Sequence, residues 1–286
     1  MPRGKAAKSL ALIDASYVIL EDIQPASVRA VCYRLFIGGL IPDMSKNSTN
    51  RVGVQLVHAR KEGIIPWAWI VDETRAVERI PSWDDPAQYA RVVQRSYRRD
   101  RWNEQPHRVE VWSEKGTVRG TLAPVLDAYG VAFRVMHGYA SATTIHDVAE
   151  EDADAVKPLT VLYVGDWDPS GLHMSEQDLP ARLLAEGAAV RLLRVALTAE
   201  DVRGDGLPSF PAASKRRDPR YAWYAARYGG RCWELDALSP VVLRERMEAT
   251  IFALIDMDAW QRADVVEAAE RASLIEVLGN WKAAAA

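Results

Sequence analysis

The sequence is poor in cysteine and contains neither a long apolar run nor an internal repeat. Its two cysteines, Cys32 and Cys232, stand 200 positions apart, which excludes a disulfide framework and a zinc cluster. Any bound metal would therefore have oxygen ligands. No segment approaches the roughly 20 uncharged apolar residues of a membrane span, and the apolar run within residues 1–12 is too short for a signal peptide. We expect a cytoplasmic protein that does not contact a membrane.

The composition is that of an ordinary globular protein. The 286 residues are 49% hydrophobic and 26% charged, which suits one large domain or two modest ones. The net charge of -3 conceals an asymmetry, since residues 1–107 carry 16 Lys and Arg against 12 Asp and Glu, whereas residues 108–286 carry 20 against 27. Such halves suit a protein that binds a polyanion with one part and a cation with the other, although asymmetry also arises by chance.

The first part of the chain predicts helices followed by a β-ribbon. Residues 1–20 have no turn-bounded pattern, so we expect a strand, an arm or partial disorder there. Apolar residues at helical spacing predict helices over 25–38 and 45–63, each ended by glycine. Residues 64–72 are rich in β-forming residues. This order is typical of a winged-helix DNA-binding module, and we place its boundary at Pro106-His107, giving domains 1–107 and 108–286.

A predicted helix over residues 86–100 is rich in arginine. It contains Arg91, Arg95, Arg98 and Arg99, and Arg101 directly follows it. They are interpreted either as a solvated helix face or as a phosphate-binding surface, because arginine matches phosphate oxygens with paired donors.

The second part alternates strands and helices. Strands are predicted over 108–113, 131–136, 159–164 and 189–195, with helices over 117–129, 142–156 and 172–186. This alternation predicts a parallel sheet, in which ligands bind beyond the carboxyl ends of the strands. Beyond residue 198 the pattern is irregular until an acidic helical stretch over residues 240–281.

Three carboxylates follow the predicted strands. Glu114 comes after the first strand, and Asp166 and Asp168 come after the third. Neighbouring parallel strands would bring them together as oxygen ligands of the kind that Mg²⁺ prefers. Alternatively, aspartates in such turns accept backbone hydrogen bonds. Metal-dependent glycosyltransferases and haloacid-type phosphatases also use Asp-x-Asp, but both place it earlier in their catalytic domain and leave Glu114 unexplained.

Weaker candidates are spread over the second part. Lys115 would reach phosphate or form a surface salt bridge, and His137 and His146 are site groups or structural hydrogen bonders. The basic run over 215–220 would contact DNA or be solvated. Glu234 and Asp236 could add an acidic group near the metal.

Three segments together resemble a known family. Residues 109–116 (VEVWSEKG) and 162–173 (LYVGDWDPSGLH) resemble the acidic motifs of a Toprim domain, most closely that of the A subunit of type IIB topoisomerases (topoisomerase VI) and the related meiotic double-strand-break transesterase. Residues 27–36 (SVRAVCYRLF) resemble the Arg-x-x-x-Tyr context of the catalytic tyrosine in the winged helix of that family, although Cys32 stands where an aromatic residue is frequent.

The resemblance implies a winged-helix domain followed by a Toprim domain with a helical carboxyl-terminal tail, and a transesterification of double-stranded DNA. Tyr33 would attack a phosphodiester, and Arg29 would hold the phosphate. Glu114 would be a general acid and base or a metal ligand, while Asp166 and Asp168 hold Mg²⁺. It also implies a homodimer and a separately encoded ATPase subunit, since this chain has no Gly-x-x-x-x-Gly-Lys loop.

Two other functions use the same residues. A hydrolytic nuclease would keep the Toprim metal site and leave Tyr33 as a half-buried packing residue of its helix. A non-catalytic DNA-binding module would keep the winged helix alone.

Overall fold

Helices precede, flank and follow a four-stranded parallel sheet. The computed structural model describes residues 7–71, 80–136, 140–204 and 206–284. The first elements are helices α1 (Ala7–Ile23), α2 (Val28–Ile37), α3 (Lys46–Lys61) and α4 (Pro86–Ser96), with 3-10 turns at Trp67–Trp69 and Arg101–Glu104. The sheet region contains β1 (Arg108–Ser113), α5 (Thr117–Tyr129), β2 (Ala132–Val135), α6 (Ala142–Ala153), β3 (Leu159–Val164), α7 (Pro169–His173), a π-helical turn (Met174–Asp178), α8 (Leu179–Ala185) and β4 (Arg191–Ala196).

A smaller set of elements follows the sheet. These are α9 (Ala199–Arg203), β5 (Phe210–Pro211), a 3-10 turn (Ala212–Lys215), α10 (Tyr221–Tyr228), β6 (Arg231–Cys232), a 3-10 turn (Leu235–Ala237), α11 (Pro240–Phe252) and α12 (Met257–Ala284). Strands β5 and β6 pair antiparallel. Within the ranges described, no helix is long and apolar enough to cross a membrane.

Helices α1, α2 and α3 share one apolar core. The side chains of Ser27 and Ser45 cap α2 and α3 by accepting hydrogen bonds from backbone N–H groups one turn into each helix. The expectation of a strand, an arm or disorder before residue 20 is wrong for residues 7–20. They belong to α1, because Ile13, Leu20 and Ile23 recur on one helical face that is buried against α2 and α3.

The expected β-ribbon is also wrong for residues 64–71. Pro66 leads into a 3-10 turn, and the guanidinium of Arg60 donates to the carbonyl oxygen of Trp67 at 2.8 Å, which holds the turn. Ile70 makes a single parallel bridge with Ala26. Residue 72 lies outside the described residues. Residues 7–71 therefore contain three α-helices, and the winged helix stays a prediction.

The predicted parallel sheet is confirmed. Its strand order is β2-β1-β3-β4, and each neighbouring pair is parallel. Strands β1 and β3 and helix α5 have the predicted bounds, whereas the helix predicted over 172–186 begins at Pro169 and contains the π-helical turn. All six residues of β3 are buried, because its alternate side chains pack into two cores, one with α5 and α11 and one with α6 and α8.

The arginine-rich segment after α4 pairs with the last helix. Arg99 binds Glu104 and Glu270 at 3.1 and 2.7 Å, and Arg101 binds Asp264 and Glu267 at 2.8 and 3.2 Å. The charges of Arg99 and Arg101 are matched by carboxylates of α12 in this structure, and the interpretation as a phosphate-binding surface stays a prediction. These pairs hold α12 against the segment that leads into β1.

Backbone carbonyls and one close contact connect the first helices with the sheet region. Arg244, on α11, donates to the carbonyl oxygens of four residues, which are Ile23, Gln24, Pro25 and Thr121. Gly120, on α5, faces Val71 so closely that a Cβ on the glycine would lie 2.6 Å from the Val71 Cβ. The helices before β1 are thus held beside the carboxyl edge of the sheet.

Candidate functional site

The loop between β3 and α7 carries two buried aspartates. Asp168 is 3% exposed and caps α7, since its Oδ1 accepts the Gly171 N–H at 2.8 Å. Asp166 is 7% exposed, and its Oδ1 accepts the Leu235 N–H at 2.8 Å. Pro169 begins α7, and a Cβ on Gly171 would lie 2.5 Å from the Asp166 carbonyl oxygen, so only glycine fits there. The Asp-Pro-x-Gly motif therefore builds a tight acidic loop.

Glu114 lies beside that loop. It directly follows Ser113, which is paired with Val164 at the end of β3. Burial raises the pKa of Glu114 to about 7, with a further contribution from the charges of Asp166 and Asp168. Burial also raises the pKa of Asp166. The structure thus brings the three sequence-predicted carboxylates to one edge of the sheet.

Two lysines supply positive charge to this acidic group. The Lys115 ammonium donates to Asp166 at 2.8 Å and to Asp236 at 3.2 Å, and the Lys215 ammonium lies 3.0 Å from Asp168. Although burial lowers the pKa of Lys115, the neighbouring Asp166 and Asp236 raise it overall. Both lysines are therefore charged partners of the carboxylates.

The carboxylate oxygens are ligands of the kind that Mg²⁺ prefers, but their present arrangement does not form a metal site. In the part of the chain that the structure covers, no three His, Cys, Asp or Glu side chains are arranged so that they could hold a metal ion. Lys215, whose side chain is 42% exposed, would have to leave Asp168 to open that carboxylate to a cation. The buried hydroxyl of Tyr163 has no hydrogen-bond partner, and its pKa is raised by burial and also by the charges of the three carboxylates. An unsatisfied polar atom beside hard oxygen donors suits a hydrated divalent cation.

Tyr33 and Arg29 lie one helical turn apart on α2. The guanidinium carbon of Arg29 is 5.8 Å from the centroid of the Tyr33 ring, and its nitrogens form a salt bridge with Glu234. Tyr33 is 4% exposed. Burial and the Glu234 carboxylate raise the pKa of Tyr33, so its hydroxyl is neutral in this arrangement.

A cleft connects Arg29, at the start of α2, with Lys115 and Asp166. It has a volume of about 670 Å³ and its charged lining residues are Arg29, Arg60, Lys115, Asp166, Glu234 and Asp236. Ser27, at the start of α2, donates to the Asp236 carboxylate at 2.8 Å. The start of the tyrosine-bearing helix and the acidic loop therefore face each other within a single chain.

Glu234 and Asp236 contribute more than the sequence indicates. They reach the site because Trp167 and Trp233 pair through two backbone hydrogen bonds of 2.9 Å, which lays residues 233–237 over the acidic loop. The Leu235 N–H that binds Asp166 is 69 positions away in the chain. No spacing rule detects such a pairing, and the only available signal was the acidic Glu-x-Asp spacing itself.

The remaining candidates lie apart from the acidic group or outside the described residues. His146 is on the exposed face of α6, with Nε2 3.5 Å from Glu150. His137 lies outside the described residues. In the basic run, Arg220 pairs with Asp218, which also accepts a 2.5 Å hydrogen bond from Ser170 of the acidic loop. Lys215 of that run is bonded to a predicted metal ligand, Asp168.

Compared with protein-family models the chain matches none, and a comparison with curated proteins finds no significant match.

Proposed function

We propose that this chain cleaves a DNA strand in a Mg²⁺-dependent transesterification, with a winged helix that carries Tyr33 and a Toprim domain that carries the carboxylates. The observation that supports the proposal most is that Tyr33 and Arg29 share, through Glu234 and Asp236, a network with Lys115 and the acidic loop. Arg29 is the natural phosphate ligand, because a guanidinium bound to a carboxylate also fits a phosphate. DNA would exchange a phosphate for Glu234 at Arg29.

The resemblance to the type IIB topoisomerase A subunit implies the bond changes. The Tyr33 hydroxyl oxygen forms a bond to phosphorus, and the bond from phosphorus to the 3′ oxygen breaks, which leaves the 5′ end on the tyrosine. The Tyr33 proton passes to the adjacent Glu234 carboxylate. Glu114 donates a proton to the departing 3′ oxygen, for which a pKa of about 7 is well suited near neutral pH.

The carboxylates would also hold the metal. Asp166 and Asp168 are the expected Mg²⁺ ligands, with Glu114 as a further ligand when it is ionised. When bound, Mg²⁺ would supply positive charge that stabilises the phosphate in the transition state. Lys115 opposes the rise in the pKa of Asp166 that burial causes, and Lys215 would move to a DNA phosphate when it leaves Asp168.

The test is to incubate the full chain with double-stranded DNA labelled at its 3′ ends and Mg²⁺, denature the mixture and ask whether label stays with protein. We expect covalent label that Tyr33→Phe and Asp166→Asn abolish. Tyr17→Phe is a matched control, because Tyr17 is a helical tyrosine that packs against Trp69 with ring centroids 5.2 Å apart. Covalent label that persists in Tyr33→Phe would refute the role of Tyr33.

A hydrolytic nuclease is the second candidate, and the burial of Tyr33 favours it, since a tyrosine that is 4% exposed must be uncovered before it can attack. Cleavage without covalent label, abolished by Asp166→Asn and retained by Tyr33→Phe, would identify it. Salt-dependent DNA binding without any cleavage would instead identify a non-catalytic DNA-binding module.

The resemblance implies a homodimer in which each tyrosine serves the partner's metal site, with a separate ATPase subunit for full topoisomerase activity. A mixture of the Tyr33→Phe and Asp166→Asn chains tests whether the site forms between two chains or within one chain. Restored cleavage is expected if the site forms between two chains, because one composite site would then be intact. Cleavage that stays absent in a mixture shown to exchange subunits would place Tyr33 and the carboxylates of one chain in the same site.

A further inference from the structure

Arg194 lies beneath the loop that carries Asp166 and Asp168. It is on β4, directly opposite Tyr163 of β3 in the sheet register. Its guanidinium carbon is 5.0 Å from the Tyr163 ring centroid and 6.0 Å from that of Trp167. In the described part of the chain, no carboxylate lies at ion-pair distance from it. Its position is therefore not explained by a salt bridge, and burial lowers its pKa.

The guanidinium is instead saturated by uncharged oxygens. Its acceptors are the carbonyl oxygens of Gly165 (3.2 Å), Asp166 (3.3 Å), Leu197 (3.1 Å) and Gly171 (2.7 Å), together with the Ser175 hydroxyl, which lies 2.8 Å from Nη2 and 3.2 Å from Nε. Three of these carbonyls belong to the acidic loop and enclose both aspartates. The hydroxyl belongs to the π-helical turn that follows α7.

These bonds act on a backbone that is also held by hydrogen bonds joining Gly165 with Ala196 and Leu197, and Trp167 with Trp233. Buried carbonyl groups need donors, and residues 165–168 leave the ladder of β3 before α7 begins. Only a planar group with five N–H donors can reach carbonyls on both sides of the loop together. A lysine ammonium carries its three donors on one atom and cannot span the same acceptors.

We propose that Arg194 is a positioning residue for the proposed cation site, holding the backbone of the loop from which the Asp166 and Asp168 carboxylates project. The inference rests on the proposed function, because it concerns the same acidic loop. Arg194 acts through its hydrogen-bond geometry and not through its charge, since positive charge near the carboxylates would by itself weaken cation binding.

Two substitutions separate geometry from charge. Arg194→Lys keeps the charge and loses the spanning hydrogen bonds, whereas Arg194→Met loses both. Arg246→Met is the matched control, because Arg246 binds the carbonyl of Val195 on the same strand at 3.2 Å and Asp201 at 2.7 Å without touching the loop. The readouts are Mn²⁺ affinity of the full chain, measured by electron paramagnetic resonance, and amide hydrogen exchange of residues 165–175.

We expect both Arg194 variants to bind Mn²⁺ at least about tenfold more weakly, the usual size of the effect when a group that orients a metal ligand is lost. Exchange of the Trp167 and Leu172 amides should become faster while β3 stays protected, and Arg246→Met should change neither readout. Protection of β3 also shows that the variants are folded.

Arg194→Lys with wild-type Mn²⁺ affinity and loop exchange would overturn the inference, as would tighter Mn²⁺ binding by Arg194→Met. Either result leaves the proposed function intact. A wild-type chain that does not bind Mn²⁺ would refute the proposed function and with it the role of Arg194 in a metal site.

Discussion

Replacing Glu114 with glutamine should stabilise the metal-free protein at alkaline pH. Glu114 is packed beside Asp166 and Asp168, and burial together with their charges raises its pKa to about 7 from a usual value of 4.5. Glutamine has the same shape and no charge. The substitution therefore removes the electrostatic cost of ionising this position while leaving the packing nearly unchanged.

The magnitude follows from proton linkage. Between the two pKa values the folded chain holds a proton at Glu114 that the unfolded chain has released, so the free energy of unfolding falls as the pH rises. A difference of about 2.5 pKa units corresponds to roughly 3 kcal/mol, fully expressed near pH 8 and less than about 1 kcal/mol at pH 5. Glu114→Gln should remove most of this pH dependence.

Urea denaturation of both chains at pH 5, 6, 7 and 8, in the presence of a chelator, measures the effect. In a parallel series with Mg²⁺ and no chelator, Mg²⁺ should stabilise the wild-type chain at pH 8 more than the variant, because a bound cation favours the ionised carboxylate. If the stability difference between the two chains is the same at pH 5 and pH 8, Glu114 does not titrate near neutral pH and the reasoning is refuted.

Three further substitutions test the surroundings of the site by denaturation. Lys115→Met should cost about 3 kcal/mol, because buried Asp166 loses its ammonium partner, and adding Asp166→Asn should recover part of the loss; an additive double variant would contradict the ion pair. Gly171→Ala should cost about 1–3 kcal/mol, since its Cβ would lie 2.5 Å from a backbone oxygen. Gly53→Ala, with no atom within 4 Å of the new Cβ inside α3, should stabilise by about 0.5–1 kcal/mol, and a loss there would show hidden crowding.

The sheet could be predicted because its central strands are buried on both sides. A nearly continuous apolar run gave β3 its bounds, and the alternation of polar and β-forming residues gave those of β1, with Gly165 and Glu114 following the two strands. The first helix could not be predicted in the same way. Its buried residues Ile13, Leu20 and Ile23 share the helix with exposed apolar residues such as Leu10 and Val18, which blur the helical pattern.

The residues of the candidate site also differ in how far they could be predicted from the sequence. Glu114, Asp166 and Asp168 follow strands, so the topology of a parallel sheet is enough to bring them together. Glu234 depends on a backbone pairing between distant segments. In the sequence Arg194 is an ordinary residue of a predicted strand. Its role depends on contacts with backbone carbonyl groups that no sequence pattern indicates.

The pairing of Arg99 and Arg101 with α12 has a practical consequence for fragments of this chain. Charge counted along the sequence is not charge presented in space, because carboxylates of the last helix neutralise these arginines. A fragment ending before Met257 would uncover them and acquire a non-specific affinity for polyanions with a steeper salt dependence. Gain of DNA binding on truncation would therefore report uncovered arginines, and only the full chain is suited to measuring recognition.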